Sequence, residues 1–403
     1  MWKGTVIGYR AVQMAFYLGA QCLPWRMARC VEGVGAIGRV PELLGREGAA
    51  RPLVVTTPGR RAAVVPTLCR ALEQKGMTWA VYDAVGPDPT VDMVEAIAEC
   101  YRRESCDSFV AVGGGSPMDA AKAAAARIVR PRRSVAQLRG LLRVRRKLPP
   151  LVAVPTTAGS GSETTLAAVI TDGAGRKAAM MDLCLIPRYA VLDPALTLGL
   201  SPRMTAATGL DALTHAVEAY LCVAWRSPAT RRCAEEAVRL ILGHLERVWA
   251  DGSDLEGRGS LLRASYLAGC AFTRAGVGNV HAIAHALGGR YHIPHGQAVG
   301  AALPVVLADY GAVIWPRLAW LARAAGLNPP PGDEAGARAF LQALEGMVDR
   351  MGLPRGFACI QEADLPTLAA QACAEANPLY PVPVIYDAAR FQAVMARLRP
   401  GPS

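Results

Sequence analysis

Lysine is scarce in this 403-residue chain, at positions 3, 75, 122, 147 and 177 only, so the net charge of +11 rests on arginine. A basic protein attracts anions, nucleotides among them, but charge alone names no partner. No Cys-x-x-Cys pair occurs, and the 11 cysteines, an odd number, are scattered from Cys22 to Cys373. That argues against a disulfide scaffold or a zinc knuckle and predicts a reducing, cytoplasmic setting. Polar tracts are missing while hydrophobic residues reach 52%, which excludes a disordered chain. No apolar run is expected to approach the roughly 20 residues that span a bilayer. Ala11–Trp25 is mostly apolar, but Gln13 and Gln21 interrupt it and no Ala-x-Ala site follows. The expectation is an extra N-terminal helical segment, residues 1–25, lying on the body of the protein rather than a signal peptide.

The length suggests two domains. The first half alternates candidate strands (Leu53–Thr56, Trp79–Tyr82, Ser108–Val112, Leu151–Val154, Ala167–Thr171, Ala190–Leu192) with helical patterns such as Ala62–Lys75 and Val91–Arg103. That alternation predicts a parallel sheet covered on both faces. After Pro202 only helical patterns follow: Arg203–Leu221, Thr230–Ala250, Gly259–Thr273, Val280–Leu287, Trp315–Ala325, Glu334–Arg350 and Leu365–Ala376. The expected fold is α/β plus all-α, with an α/β domain over 1–201, an all-helical domain over 202–403 and a shared cleft between them.

Two loops in the first half suit phosphate. The strand Ser108–Val112 runs into Gly113-Gly114-Gly115-Ser116, and Pro117 is expected to open the next helix. Glycines let a backbone approach a ligand, and a helix N-terminus offers free N–H groups. This is not the Gly-x-Gly-x-x-Gly fingerprint. After Leu151–Val154 comes Pro155-Thr-Thr-Ala-Gly-Ser-Gly-Ser-Glu163, whose small hydroxyl residues suit phosphates or sugar hydroxyls. In the second half, His281, His285, His292 and His295 fall within fifteen residues, in a chain with only 6 histidines. Asp211 and His215 share a helical face at i, i+4, as do His281 and His285. An aspartate with several histidines from separate helices is a divalent-metal constellation. His244 and His292 receive no role.

Gly-Gly-Gly-Ser-Pro-Met-Asp-Ala-Ala-Lys, Pro-Thr-Thr-Ala-Gly-Ser-Gly-Ser-Glu, Leu-Asp-Pro-Ala-Leu-Thr, Gly-Leu-Asp-Ala-Leu-Thr-His-Ala-Val-Glu-Ala-Tyr and His-Ala-Ile-Ala-His-Ala-Leu-Gly-Gly-(x4)-Pro-His-Gly stand in that order. Together they resemble the iron-containing (group III) alcohol dehydrogenase family over roughly residues 25–390. The resemblance implies a dinucleotide-binding domain followed by a helical metal-binding domain. It implies Fe2+ (or Zn2+) on Asp211, His215, His281 and His295, and NAD(H) or NADP(H) held by Thr57, Asp88, Gly113, Gly114, Gly115, Ser116, Asp119, Thr156, Thr157, Ser160, Lys177 and Leu196. His285 is implied beside the reacting centre, where an imidazole suits proton transfer. An alcohol or aldehyde substrate and a homodimer or higher oligomer are expected, with neither nucleic acid nor membrane as partner.

Three departures from the family pattern stand out. Thr57 replaces an aspartate that often ends the first strand of NAD-preferring members, which opens the cofactor choice. Asp88 stands where asparagine is usual, and Val299 replaces an asparagine after Pro294-His295-Gly296. A glycerol or polyol dehydrogenase-like enzyme is the alternative within the family. A rival of another class, an anion- or nucleic-acid-binding protein, is suggested by Arg127–Lys147, with nine basic residues and no acid. That segment has no aromatic residue for base stacking, and a solvated face is expected instead.

Overall fold

The computed structural model describes residues 2–61, 63–173, 175–224 and 227–399. The chain falls into two compact units. One comprises Pro24–Leu200 with Ser253–Gly269; the other comprises Met1–Leu23, Ser201–Gly252 and Cys270–Ser403.

The first unit is built on strands β1 (Arg29–Glu32), β2 (Pro52–Thr56), β3 (Ala80–Tyr82), β4 (Ser108–Gly113), β5 (Gly140–Leu141), β6 (Leu151–Pro155), β7 (Ala167–Thr171), β8 (Lys177–Met181) and β9 (Tyr189–Leu192). Six of them form one sheet in the order β1-β9-β6-β4-β2-β3, every pair parallel. β2, β4, β6 and β9 are buried along their whole length, as apolar runs in a doubly covered sheet must be. The two-residue period divides them between faces. Leu53, Val55, Phe109 and Ala111 pack with the helices Val91–Arg103 and Gly115–Val129. Val54, Val110, Val112 and Val154 pack with Val65–Gln74. Each such fully buried Leu, Val or Phe contributes about 1.5–3 kcal/mol. The helices that follow β2 and β4 therefore cover opposite faces. Neighbouring strands whose connections diverge in this way leave a crevice at their C-terminal ends, where ligands bind in open α/β sheets.

Three expectations need correction here. β7 is not part of the parallel sheet; it pairs antiparallel with β8, a strand the sequence pattern did not reveal, in a small three-stranded sheet. The burial of β7 alternates, which is the mark of a half-covered strand. The helix after β4 begins at Gly115 rather than Pro117, with Gly114 as its N-cap, so Ser116 lies in its first turn. The N-terminal helix, Trp2–Gln21, groups with the helical unit and not with residues 24–200. Its buried Gln13 donates to the carbonyls of Pro378 and Tyr380, both at 2.9 Å.

Among the described residues the second unit has no strand. Pro202–Leu221 and Pro228–Ala250 each start on a serine cap, Ser201 and Ser227, with proline next, where its missing N–H costs nothing. Asn279–Tyr291 ends on His292 in the left-handed conformation. His295–Tyr310 was not foreseen as a helix. With the turn after it, it is the one helix among the described residues long and apolar enough by length and composition to cross a bilayer, although Gln297 and Asp309 interrupt it. More than half of that span is buried within the protein, as for a core helix. It lies close against Pro202–Leu221: a Cβ at Gly296 would sit 2.3 Å from the carbonyl oxygen of Ala207. Only glycine permits that approach, and the approach brings His295 to Asp211.

Candidate metal centre and cofactor loops

Asp211, His215 and Glu218 project from one face of Pro202–Leu221, at i, i+4 and i+7. His281 and His285 come from Asn279–Tyr291, and His295 is the first residue of His295–Tyr310. The ligand atoms of Asp211, His281 and His295 all lie within 4.8 Å of one another. Asp211 Oδ1 is 3.7 Å from His281 Nε2 and 3.3 Å from His295 Nε2. His215 stands beside this group, with Nδ1 3.8 Å from Asp211 Oδ1 and its ring stacked on Phe272 at 4.0 Å and on His281 at 4.6 Å. Asp211, His215 and His281 are buried, whereas the His295 side chain is 42% exposed, so the centre opens on the His295 side.

Asp211 Oδ1 and His281 Nε2 are buried and make no hydrogen bond. Buried polar atoms are nearly always satisfied, and a facing pair left open on a carboxylate and an imidazole fits a cation between them. Burial pushes the Asp211 carboxyl up, but His215 and His295 outweigh it and hold the group well below the usual carboxylate range. Burial pushes His281 down, but Glu218 and then Asp211 outweigh that and raise it to about 10.

Glu218 is a site residue to which the sequence reading assigned no role. Its Oε2 lies 2.6 Å from His281 Nδ1 and accepts from the Gly278 N–H at 2.8 Å, while Oε1 accepts from the Val280 N–H at 2.8 Å. One carboxylate thus orients the His281 imidazole and caps the helix that carries it. Gly278 makes room, since a Cβ there would fall 2.7 Å from Glu218 Oε1. The helical spacing from Asp211 was the available signal. His285 lies outside the ligand cluster; its ring is stacked near that of His295 at 5.4 Å, and its Nδ1 is 2.7 Å from Glu375 Oε1.

In the sheet unit, Thr57 follows β2, Gly113–Gly115 close β4 and open its helix, and Thr156 follows β6, all at the C-terminal ends of adjacent strands. The two loops lie against each other. A Cβ on Gly114 would meet Thr157 Oγ1 at 3.3 Å, and one on Gly115 would meet Ser160 Oγ at 3.3 Å. Gly113 has φ +146° and its Cβ would strike Pro117 at 2.5 Å, so this turn demands glycine. Ser116 stands in the first helical turn, and Leu196 packs against the valines of the sheet. Asp88 and Lys177, drawn from distant parts of the chain, pair with each other at 2.6 Å. Asp119 is committed to protein donors, Ser162 Oγ–H at 2.7 Å and the Val169 N–H at 2.9 Å. Lys122, fully buried, donates to oxygens of Ser162, Thr165 and Ala167, and burial lowers it to about 8. Arg60 and Arg61 follow Thr57 closely enough in sequence to pair with a 2′-phosphate, and their side chains lie outside the described residues.

The basic segment is the solvated face expected of it: Arg132, Arg133, Arg143, Arg145, Arg146 and Lys147 are exposed, though several of its side chains are tied to the protein. Arg127 forms a two-pronged pair with Glu95, Arg139 pairs with Asp172, and Arg130, Arg133 and Arg146 donate to backbone carbonyls.

The chain thus joins a parallel sheet with paired small-residue loops, which suit a nucleotide, to a helical unit with a carboxylate–imidazole centre, which suits a divalent ion. The chain matches the iron-containing alcohol dehydrogenase family over residues 28–194 and that family's C-terminal domain over residues 205–395, and it belongs to this family. It is 34% identical to an NAD-dependent methanol dehydrogenase of Bacillus methanolicus, over 86% of this chain and 93% of that one. It is 37% identical to a 1,3-propanediol dehydrogenase of Klebsiella pneumoniae, over 86% and 90%. The solved structure of an alcohol dehydrogenase from Oenococcus oeni superposes with a TM-score of 0.89 at 30% identity, covering 94% of this chain and 100% of that one. The protein is therefore a metal-dependent oxidoreductase that moves hydride between a nicotinamide cofactor and an alcohol or aldehyde.

Proposed function

We propose that Asp211, His215, His281 and His295 hold one divalent ion, Fe2+ or Zn2+, and that His285 passes the substrate's hydroxyl proton toward solvent. The observation that carries this reading is the open, buried pair of Asp211 Oδ1 and His281 Nε2. Three imidazoles and a carboxylate suit either metal. When bound, the ion supplies Lewis acidity at the alcohol oxygen and the nicotinamide exchanges the hydride. The protein's part is to aim the groups. Glu218 holds the His281 ring through Nδ1, which leaves Nε2 facing Asp211. Against the Glu375 carboxylate, His285 donates from Nδ1, which leaves Nε2 as the basic nitrogen. Metal content measured alongside turnover, on protein loaded anaerobically with Fe2+ or Zn2+ and offered a panel of alcohols and aldehydes, tests the reading.

In the same reading Gly113–Ser116 and Thr156–Ser160 hold the cofactor. Gly114→Val is expected to weaken cofactor binding about tenfold or more, because a branched side chain would fill the space beside Thr157. Metal content should stay at the wild-type level. Unchanged cofactor affinity, read by fluorescence titration, would refute the placement.

The enzyme accepts NADP(H) as well as NAD(H) in this reading. A carboxylate at the end of β2 would bond a ribose 2′-hydroxyl and repel a 2′-phosphate, and half-buried Thr57 stands there instead. Thr57→Asp should lower kcat/KM for NADP roughly tenfold or more relative to NAD. Strict NAD specificity in the wild type, with the ratio unmoved by the substitution, would contradict it. A cytoplasmic homo-oligomer completes the proposal, supported by the resemblance to metabolic dehydrogenases and testable by sedimentation.

A further inference from the structure

The family match begins at residue 28, so the N-terminal helix Trp2–Gln21 lies outside it. Yet this helix is bound where the helical unit holds His285. Gln13, only 2% exposed, gives both amide hydrogens to the carbonyls of Pro378 and Tyr380. Arg10 supports Gln13 by donating to its Oε1 at 2.8 Å, and donates further to the carbonyls of Val382 and Pro383. The segment gripped in this way carries Tyr380, whose hydroxyl donates to Glu375 Oε1 at 2.6 Å. The same oxygen lies 2.7 Å from His285 Nδ1. An unbroken chain of hydrogen bonds and backbone thus runs from Gln13 through Tyr380 and Glu375 to His285.

We propose that Glu375 is a positioning residue for His285, locked by Tyr380, and that the N-terminal helix serves as the strap that keeps this pair in place. The proposal rests on the reading of His285 as the proton-transfer group. A carboxylate held at one oxygen by two donors is stripped of most of its rotamer freedom. The imidazole bonded to it is then confined to one tautomer and one ring orientation. The ordering is complete before substrate arrives, which is how a remote group lowers a barrier without touching the reacting atoms. Arg10 and Gln13 stand about one helical turn apart, and both bond to the 378–383 segment.

The test uses the full-length, metal-loaded enzyme with Glu375→Ala, Glu375→Gln, Tyr380→Phe, Gln13→Ala and, as reference, His285→Ala. Glu375→Ala should lower kcat about 10- to 100-fold with little change in KM. Metal content and cofactor affinity should remain at the wild-type level. Glu375→Gln, which keeps an acceptor oxygen, should recover part of the loss, and Gln13→Ala should show a smaller loss of the same kind. In 15N spectra of histidine-labelled protein, the His285 signal should report Nδ1–H in the wild type and a mixed tautomer in Glu375→Ala. Unchanged 15N signals in Glu375→Ala would overturn the proposal, as would loss of metal from that variant. Wild-type turnover by His285→Ala would instead refute its proton-transfer role. The spectra would still decide whether Glu375 positions the ring. Glu375 is partly exposed, so its own substitutions leave the core intact.

Discussion

Asp211→Ala and His281→Ala should each abolish stoichiometric metal binding and lower kcat about 10³-fold or more, the loss expected when several kcal/mol of Lewis-acid stabilisation disappear. Asp211 is central because one oxygen faces all three imidazoles, at 3.3, 3.7 and 3.8 Å. Without it the three imidazoles supply no charged ligand to offset a divalent ion. The His281 variant loses the buried nitrogen that makes no bond to protein. Loading should also depend on pH in a definite direction. His281 is raised to about 10, so a metal must displace its proton, and apparent affinity should tighten as pH rises through the neutral range. Elemental analysis after desalting, with chelator competition at several pH values, checks both statements. Undiminished metal in either variant would remove these residues from the ligand set.

Glu218→Gln should weaken metal affinity by about 10- to 100-fold, the usual cost of removing the partner of a ligating histidine. The wild-type carboxylate accepts from the N–H groups of Gly278 and Val280 and holds His281 Nδ1. Glutamine is nearly isosteric but has one acceptor oxygen for these three partners. Whichever donor is left over is buried and unsatisfied, at a cost of about 1–3 kcal/mol. Thermal stability without metal should therefore fall together with affinity. Had Glu218 only a packing role, glutamine would preserve both. Glu218→Ala should be worse on each count and is less informative, because a cavity is added.

The sheet unit was largely legible in the sequence because its strands are buried on both faces. Leu53–Thr56, Ser108–Val112 and Leu151–Val154 are short apolar runs ended by glycine, proline or hydroxyl residues, and they are the adjacent strands β2, β4 and β6. β8 is not legible in the sequence because Lys177-Ala-Ala-Met-Met181 has no β-branched residue; pairing with β7 makes it a strand. The helix His295–Tyr310 was obscured by Pro304 and by glycines, which serve close packing against Pro202–Leu221 rather than termination.

The sequence by itself determined which residues could bind a metal. Histidine is rare in this chain, and helical periodicity puts Asp211 with His215, and His281 with His285, on common faces. Periodicity acts within one helix and says nothing about distances between helices. The convergence of Asp211, His281 and His295 was decided by tertiary packing, through contacts such as that of Gly296 with Ala207. So were the surroundings of His285: its hydrogen-bond partner Glu375 is 90 residues away, and Tyr380, which bonds the same carboxylate, has its carbonyl held by Gln13. Bonds over such separations leave no local pattern, because they form only when the folded core brings the segments together.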